Sequence, residues 1–298
     1  MNQINRHNTH ILTPFEYHQP TTIQEAVETL RKHPDAKPLA GGTDLIPKMK
    51  QALIKPRHIV NLKKIPELSV IEENGDKVYI GAAVKLREIE KDETVQRLLP
   101  LLNSCVKSIG SVQIRNMGTI GGNVCNASPA ADAALGLVAL EATVHIAGPE
   151  GERHVEANDF FKGPGLTVLR VDEIVTGFTV PVAPEDTGTC FISVGRTALD
   201  ISTISIAVAL RTEGDRVKDA KIALGSVAPT PLRLPEVEKQ LKGKKMSEKL
   251  IEDAARKISE SIQPITDVRG TAEYRRKASR GLAVEALTEA WRVGRQQR

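Results

Sequence analysis

Apolar residues recur along this 298-residue chain in two registers, and the alternation between them predicts the elements. Ile23, Ala26, Val27 and Leu30 share one face of a 3.6-residue period and predict an amphipathic helix. Thr21 or Thr22 stands at the N-cap, with Glu25 placed for a capping box. His33-Pro34 ends the helix, because the residue before proline avoids helical angles. Residues 37–40 read as a short strand, Gly41-Gly42-Thr43-Asp44 as a turn, 45–53 as a second helix and 58–62 as another strand. The stretches 68–71 and 77–80 flank Asn74-Gly75, a hairpin signal. Residues 85–108 read as helical, 118–122 as glycine-rich, 130–140 as a helix of small residues, and 141–147 and part of 172–181 as strands.

The texture changes near residue 185, where Pro184-Glu185-Asp186-Thr187-Gly188 reads as a linker. Strand-like runs at 190–195, 203–211 and 217–225 follow, then helical patterns at 234–241, 247–260 and 271–293. The early alternation of helix and strand indicates an α/β unit, and consecutive strands followed by consecutive helices indicate a separate α+β domain. The expectation is two domains, residues 11–184 and 188–295, in a chain of overall α+β class. The polar first fifteen or so residues are expected to be loose up to Pro14-Phe15-Glu16-Tyr17.

Composition narrows the function classes. Aromatics are only 3%, so the core must be built from Val, Ile, Leu and Ala. A balance of 41 basic against 37 acidic residues is too mild to argue for nucleic acid. No apolar run approaches a membrane span, and the N-terminus lacks the apolar stretch of a secretory signal, so cytoplasmic residence is expected. Cys105, Cys125 and Cys190 are far apart, and three thiols fall short of the four that hold an ordinary iron–sulfur cluster. The seven histidines show no ligand-pair spacing, and no nucleophile–base arrangement is visible. No metal site and no catalytic residue is expected in this chain.

Two glycine-rich segments remain: Leu39-Ala40-Gly41-Gly42-Thr43-Asp44-Leu45 and Asn116-Met117-Gly118-Thr119-Ile120-Gly121-Gly122-Asn123. Glycines let backbone N–H groups approach an anion and point the same way, and the first segment leads into a helix whose N-terminus favours phosphate. Thr43 and Thr119 could add hydroxyl donors. Two such loops suit a pyrophosphate held from both sides; the competing reading is a pair of tight structural turns. Neither loop has the G-x-x-x-x-G-K-[ST] or G-x-G-x-x-G pattern. The residues alone therefore lead to an anion or dinucleotide site of neither common type.

The chain resembles the medium, FAD-binding subunits of the xanthine dehydrogenase and carbon monoxide dehydrogenase family. The resemblance rests on Leu39-Ala-Gly-Gly-Thr-Asp-Leu-Ile-Pro47, Ile114-Arg-Asn-Met-Gly-Thr-Ile-Gly-Gly-Asn123 and Ala127-Ser-Pro-Ala-Ala-Asp132. Arg196-Thr-Ala-Leu-Asp200, Gly225-Ser-Val-Ala-Pro-Thr-Pro231 and Ile265-Thr-Asp-Val-Arg-Gly270 extend it to the C-terminal part. It implies a two-part FAD-binding domain of the vanillyl-alcohol oxidase-like (PCMH) type, followed by a small α+β domain beside the isoalloxazine. Leu39, Ala40, Gly41, Gly42, Thr43, Asp44 and Leu45 would form the first pyrophosphate loop. Thr119, Gly122 and Asn123 would close it from the other side. Asp132 would lie near the adenosine or ribose half, and Ile174 or Val175 would give an apolar backbone contact. Without a His or Cys in the first loop to tether it, FAD would be non-covalent.

Many such subunits have a lysine just before the Arg-x-Ala-x-Asp motif, able to approach the flavin; this chain has Ser193 there. Arg196 either compensates or forms an ion pair with Asp200 or another acid. The resemblance further implies a large partner carrying molybdopterin and a small partner carrying two 2Fe–2S clusters, in a heterotrimer or a dimer of heterotrimers. Electrons would pass through FAD to NAD or another acceptor. The rival readings are a free-standing FAD-dependent oxidoreductase of the same fold and a structural subunit that has lost FAD.

Overall fold

The computed structural model describes residues 12–197 and 199–296. The expected loose first segment lies mostly outside them. The first described elements are β1 (Glu16–His18), α1 (Ile23–Lys32), β2 (Lys37–Leu39), α2 (Leu45–Lys50) and β3 (His58–Asn61). They make a three-stranded parallel sheet of order β1-β3-β2. The hydroxyl of Thr22 caps α1 by accepting from the Glu25 amide at 3.1 Å. The Glu25 carboxylate in turn accepts from the Thr21 amide at 2.7 Å, so the two threonines divide the capping box.

Next come β4 (Ile71–Asn74), β5 (Lys77–Gly81), α3 (Leu86–Lys91), α4 (Glu93–Leu98), α5 (Pro100–Lys107), α6 (Val112–Met117), α7 (Ile120–Cys125), α8 (Asp132–Ala139), β6 (Thr143–Gly148) and β7 (Gly151–Glu156). A short helix α9 (Ala157–Phe160), strands β8 (Phe161–Gly163) and β9 (Leu166–Thr167), and the long β10 (Ile174–Pro181) complete the first half. Its second sheet has the order β4-β5-β10-β6-β7, antiparallel throughout. The stretch expected to be helical over 85–108 is three helices. The Asp92 carboxylate caps α4 by accepting from the Val95 amide at 2.9 Å, and Pro100 sits at the start of α5. The second glycine-rich segment is more than a turn: the Thr119 hydroxyl accepts from the Gly122 amide at 3.1 Å and starts α7.

The second half contains β11 (Thr187–Val194), β12 (Ile204–Glu213), β13 (Arg216–Gly225), β14 (Leu232–Arg233), α10 (Pro235–Leu241), α11 (Glu248–Ser261) and α12 (Ala272–Gln296). The four strands form an antiparallel sheet in sequence order. The two-residue period of β12 sorts its faces by size. Ile204, Ile206, Val208 and Leu210 pack with the helices α10–α12 in one core. Ala207 and Ala209, with Ala223 of β13, join the core of the first half. Alanine on that face lets the sheet approach α5 and α8 closely, which makes the two halves neighbours through a packed surface rather than a tether.

Candidate functional site

Parallel strand β2 ends at Leu39 and the chain turns through Gly41 and Gly42 into α2. Gly42 has φ of +74°, which a side chain would strain. A Cβ on Gly41 would overlap the Met117 carbonyl oxygen, because this loop packs directly on the end of α6. The amides of Gly41, Gly42, Thr43 and Asp44 donate to no acceptor among the described residues. Four consecutive unpaired N–H groups at the start of a helix make an anion nest.

The second loop is built differently. Its Ile120 and Gly121 amides donate to Val84 and Ala82 carbonyls at 3.1 and 2.9 Å, and the Asn123 amide to Thr119 at 3.0 Å. With the Gly122 amide taken by Thr119, no backbone donor is left from Ile120 to Asn123. What this loop offers a ligand is side chains and room. Asn123 Oδ1 is buried and has no partner, and an unmade hydrogen bond of that kind costs free energy unless a ligand supplies the donor. The loops are tied together beside the opening: Lys48 Nζ donates to Asn126 Oδ1 at 2.8 Å, and Asn126 Nδ2 to Asp44 Oδ1 at 3.2 Å.

Between the loops lies a cavity of about 640 Å³. Ala40, Gly41, Gly42, Thr43, Asp44, Leu45, Thr119, Gly122, Asn123, Ile174 and Val175 all line it. Two of the expected residues do not. Leu39 packs with Met49 and Ile59 in a small core under the loop, because alternation in β2 points it inward. Asp132, expected near the ribose, is 6% exposed and faces the second half of the chain instead. It accepts from Ser108 Oγ at 3.0 Å and from Ser202 Oγ at 3.0 Å. Burial raises its pKa, and the serine hydroxyls oppose the rise. Ser193 Oγ lies 2.6 Å from Ser202 Oγ, so the position expected to carry a lysine ends a Ser193–Ser202–Asp132 chain. Arg196 donates to Asp200 at 3.0 Å, a pair within its own loop.

Sequence reasoning missed Lys37, Lys48 and Arg170, the cations of the cavity wall. Lys48 had a signal: it lies four residues after Asp44, on the same face of α2. Arg170 had none, since it arrives from an irregular segment. The nearby carboxylate of Glu173 is paired with Arg153 at 2.7 Å, and that bond holds its pKa low. Cys125 also lines the cavity, but burial pushes its thiol up to about 12, so it stays protonated near neutral pH. No tyrosine or histidine lines the cavity among the described residues.

Residues 13–183 match the family model described as the FAD binding domain in molybdopterin dehydrogenase, and residues 190–290 match the CO dehydrogenase flavoprotein C-terminal domain. The chain belongs to the FAD-binding subunits of the molybdenum hydroxylases. Among such subunits it is 38% identical over 275 residues to the glyceraldehyde dehydrogenase medium chain of Sulfolobus acidocaldarius, covering 92% of this chain and 98% of that one. It is 32% identical over 278 residues to the xanthine dehydrogenase FAD-binding subunit of Escherichia coli O157:H7, covering 92% and 95%. A solved structure of carbon monoxide dehydrogenase from Hydrogenophaga pseudoflava superposes with a TM-score of 0.92 at 37% identity, covering 95% of this chain and 99% of its counterpart. An FAD-binding subunit must cradle a pyrophosphate, and the amide nest and the flanking cations fit that group, while the unpaired Asn123 oxygen, an acceptor, suits a hydroxyl of the cofactor rather than its phosphates.

Proposed function

We propose that this chain is the flavoprotein component of a multi-subunit molybdenum hydroxylase, set between the 2Fe–2S clusters of a small partner and NAD or another acceptor. A large partner would carry molybdopterin and the substrate site. The observation that carries the reading is the row of unpaired amides from Gly41 to Asp44 on the wall of the cavity. FAD, bound without a covalent bond, supplies the electron-carrying chemistry. The chain's own residues bind and orient it: Gly41–Asp44 donate to the pyrophosphate, Thr119 and Asn123 close over it, and Lys48 and Arg170 offset its charge. Ala40, Leu45, Gly122, Ile174 and Val175 exclude water along the remaining walls. In this assignment residues 11–184 form the flavin-binding domain and 188–295 the domain beside the isoalloxazine.

The free-standing oxidoreductase is the weaker reading. It needs a general base or an anchoring tyrosine near the flavin, and the cavity wall shows neither tyrosine nor histidine among the described residues. The decisive variant is Gly122→Val. A Cβ there would meet Thr119 Oγ1 at 3.1 Å and the Ala40 methyl at 3.9 Å, so the larger side chain would narrow the gap between the loops in which the pyrophosphate is proposed to sit. The expected result is loss of the flavin absorbance with an unchanged far-ultraviolet circular dichroism spectrum. Full flavin occupancy in the folded variant would place the cofactor elsewhere.

A further inference from the structure

Histidines far apart in sequence meet on the parallel sheet, outside the flavin cavity. Glu16 and His18 point to the same side of β1, two residues apart. The parallel register sets Glu16 opposite His58 in β3. His33 is the C-cap residue of α1 and completes the group. The His33 and His58 rings stack with centroids 3.8 Å apart, and His18 lies 5.3 Å from each.

We propose that His18, His33 and His58 form a binding site for one Zn²⁺ or a similar divalent transition-metal ion, with Glu16 or water as the fourth ligand. One ligand atom from each imidazole lies within 4.8 Å of the others. A tetrahedral Zn²⁺ with bonds of about 2.0–2.1 Å sets its ligand atoms roughly 3.3–3.4 Å apart. His18 Nε2 and His58 Nδ1 are 3.1 Å apart, and His58 Nδ1 and Glu16 Oε2 are 3.5 Å apart, on either side of that length. His33, stacked on His58, would turn out of that stack to point a ring nitrogen at the ion. Three imidazoles suit Zn²⁺, Ni²⁺ or Cu²⁺ rather than Mg²⁺ or Ca²⁺.

The ion would clamp β1, the end of α1 and β3 together. Pro34, Ala36 and Lys37, just after His33, line the flavin cavity, so the clamp stiffens the sheet from which the first glycine loop springs. The site stands on its own geometry and does not depend on the flavin assignment.

The test uses the full chain with FAD, stripped of metal by a chelator and titrated with Zn²⁺ and, as a spectroscopic probe, Co²⁺. One equivalent should bind, with the intense visible absorption of tetrahedral Co²⁺ and a rise in melting temperature. His33→Gln and His58→Gln should each weaken binding by at least about tenfold to a hundredfold while retaining FAD. Replacing His7 and His10 with alanine should leave it unchanged. Absence of stoichiometric binding, binding indifferent to His18, His33 and His58, or binding lost only with His7 and His10 would each overturn the site.

Discussion

At the scale of single residues, Ser193 separates this chain from the pattern it resembles. A lysine there would place an ammonium at the end of the chain that runs through Ser202 to the buried Asp132. Ser193 itself is exposed, so the longer side chain needs no burial of its stem. We expect Ser193→Lys to raise the midpoint potential of the bound flavin, because a nearby cation favours the reduced, more anionic state. Spectroelectrochemical titration of the FAD-loaded chain reads this directly, and an unchanged potential would mean that position 193 does not face the flavin. Asp132 also shows where residue-level reading stops. A helix-start carboxylate after a family-like motif looks the same whether it faces a ribose or a serine hydroxyl. Only the approach of Ser202, from the other half of the chain, decides it. The glycine loops were legible as loops, but not the division between them: that the first keeps its amides free while the second uses its own depends on Ala82 and Val84, which lie far upstream of the second loop.

At the scale of elements, the segment before α12 shows how charge holds a turn. The Asp267 carboxylate accepts from Arg269 Nη2 at 2.7 Å and from Arg275 Nη2 at 2.6 Å. Arg275 is 2% exposed and also donates to the Ser226 carbonyl at 3.1 Å, which pins the start of α12 to the end of β13. The Arg269 bonds, joined by Arg275, hold the Asp267 carboxyl well below the usual carboxylate range. A depressed carboxylate stabilises the fold above its unfolded pKa of about 3.9, and that contribution fades as pH falls toward the folded value. Asp267→Asn should therefore cost about 3 kcal/mol near neutral pH, since it strands a buried guanidinium. The gap between variant and wild type should narrow below about pH 4. Urea midpoints for both proteins across this range are the measurement, and a pH-independent gap would contradict the assignment. Elements were legible where the period was long and clean, as in α1, β12, α11 and α12. They were not legible where short helices abut, as from α3 to α7, because none exceeds eight residues and Asp92 and Leu99 each end one helix and cap the next. The edge strand β7 was missed because Glu152, Arg153 and His154 hide its alternation, as charges on an edge strand commonly do.

At the scale of the whole molecule, the decisive property is what the chain lacks as well as what it holds. Its cysteines, Cys105, Cys125 and Cys190, are all free, and burial raises each thiol, Cys190 to about 11 and Cys105 well above its ordinary value. Three thiols fall short of the four that hold an ordinary iron–sulfur cluster. No helix among the described residues is long and apolar enough to cross a membrane. In the relay proposed above, electrons reach the flavin across a protein surface. That surface has candidates on the loops around the second domain, where Leu199, Ile201, Ile265 and Val268 expose apolar side chains, Val268 at 88%. On helix α6, beside the second glycine loop, Val112 and Met117 do the same. We expect the chain isolated from its own host to come with an iron–sulfur subunit and a molybdenum subunit, as a heterotrimer or a dimer of heterotrimers. Expressed alone it should bind FAD and oxidise no substrate of the complex. Native mass spectrometry with metal analysis of the complex gives the composition, and flavin bleaching on addition of substrate, in the complex but not in the lone chain, gives the direction of electron flow. A homo-oligomer without molybdenum or iron that reduces its flavin with a substrate unaided would overturn the relay and restore the free-standing flavoenzyme.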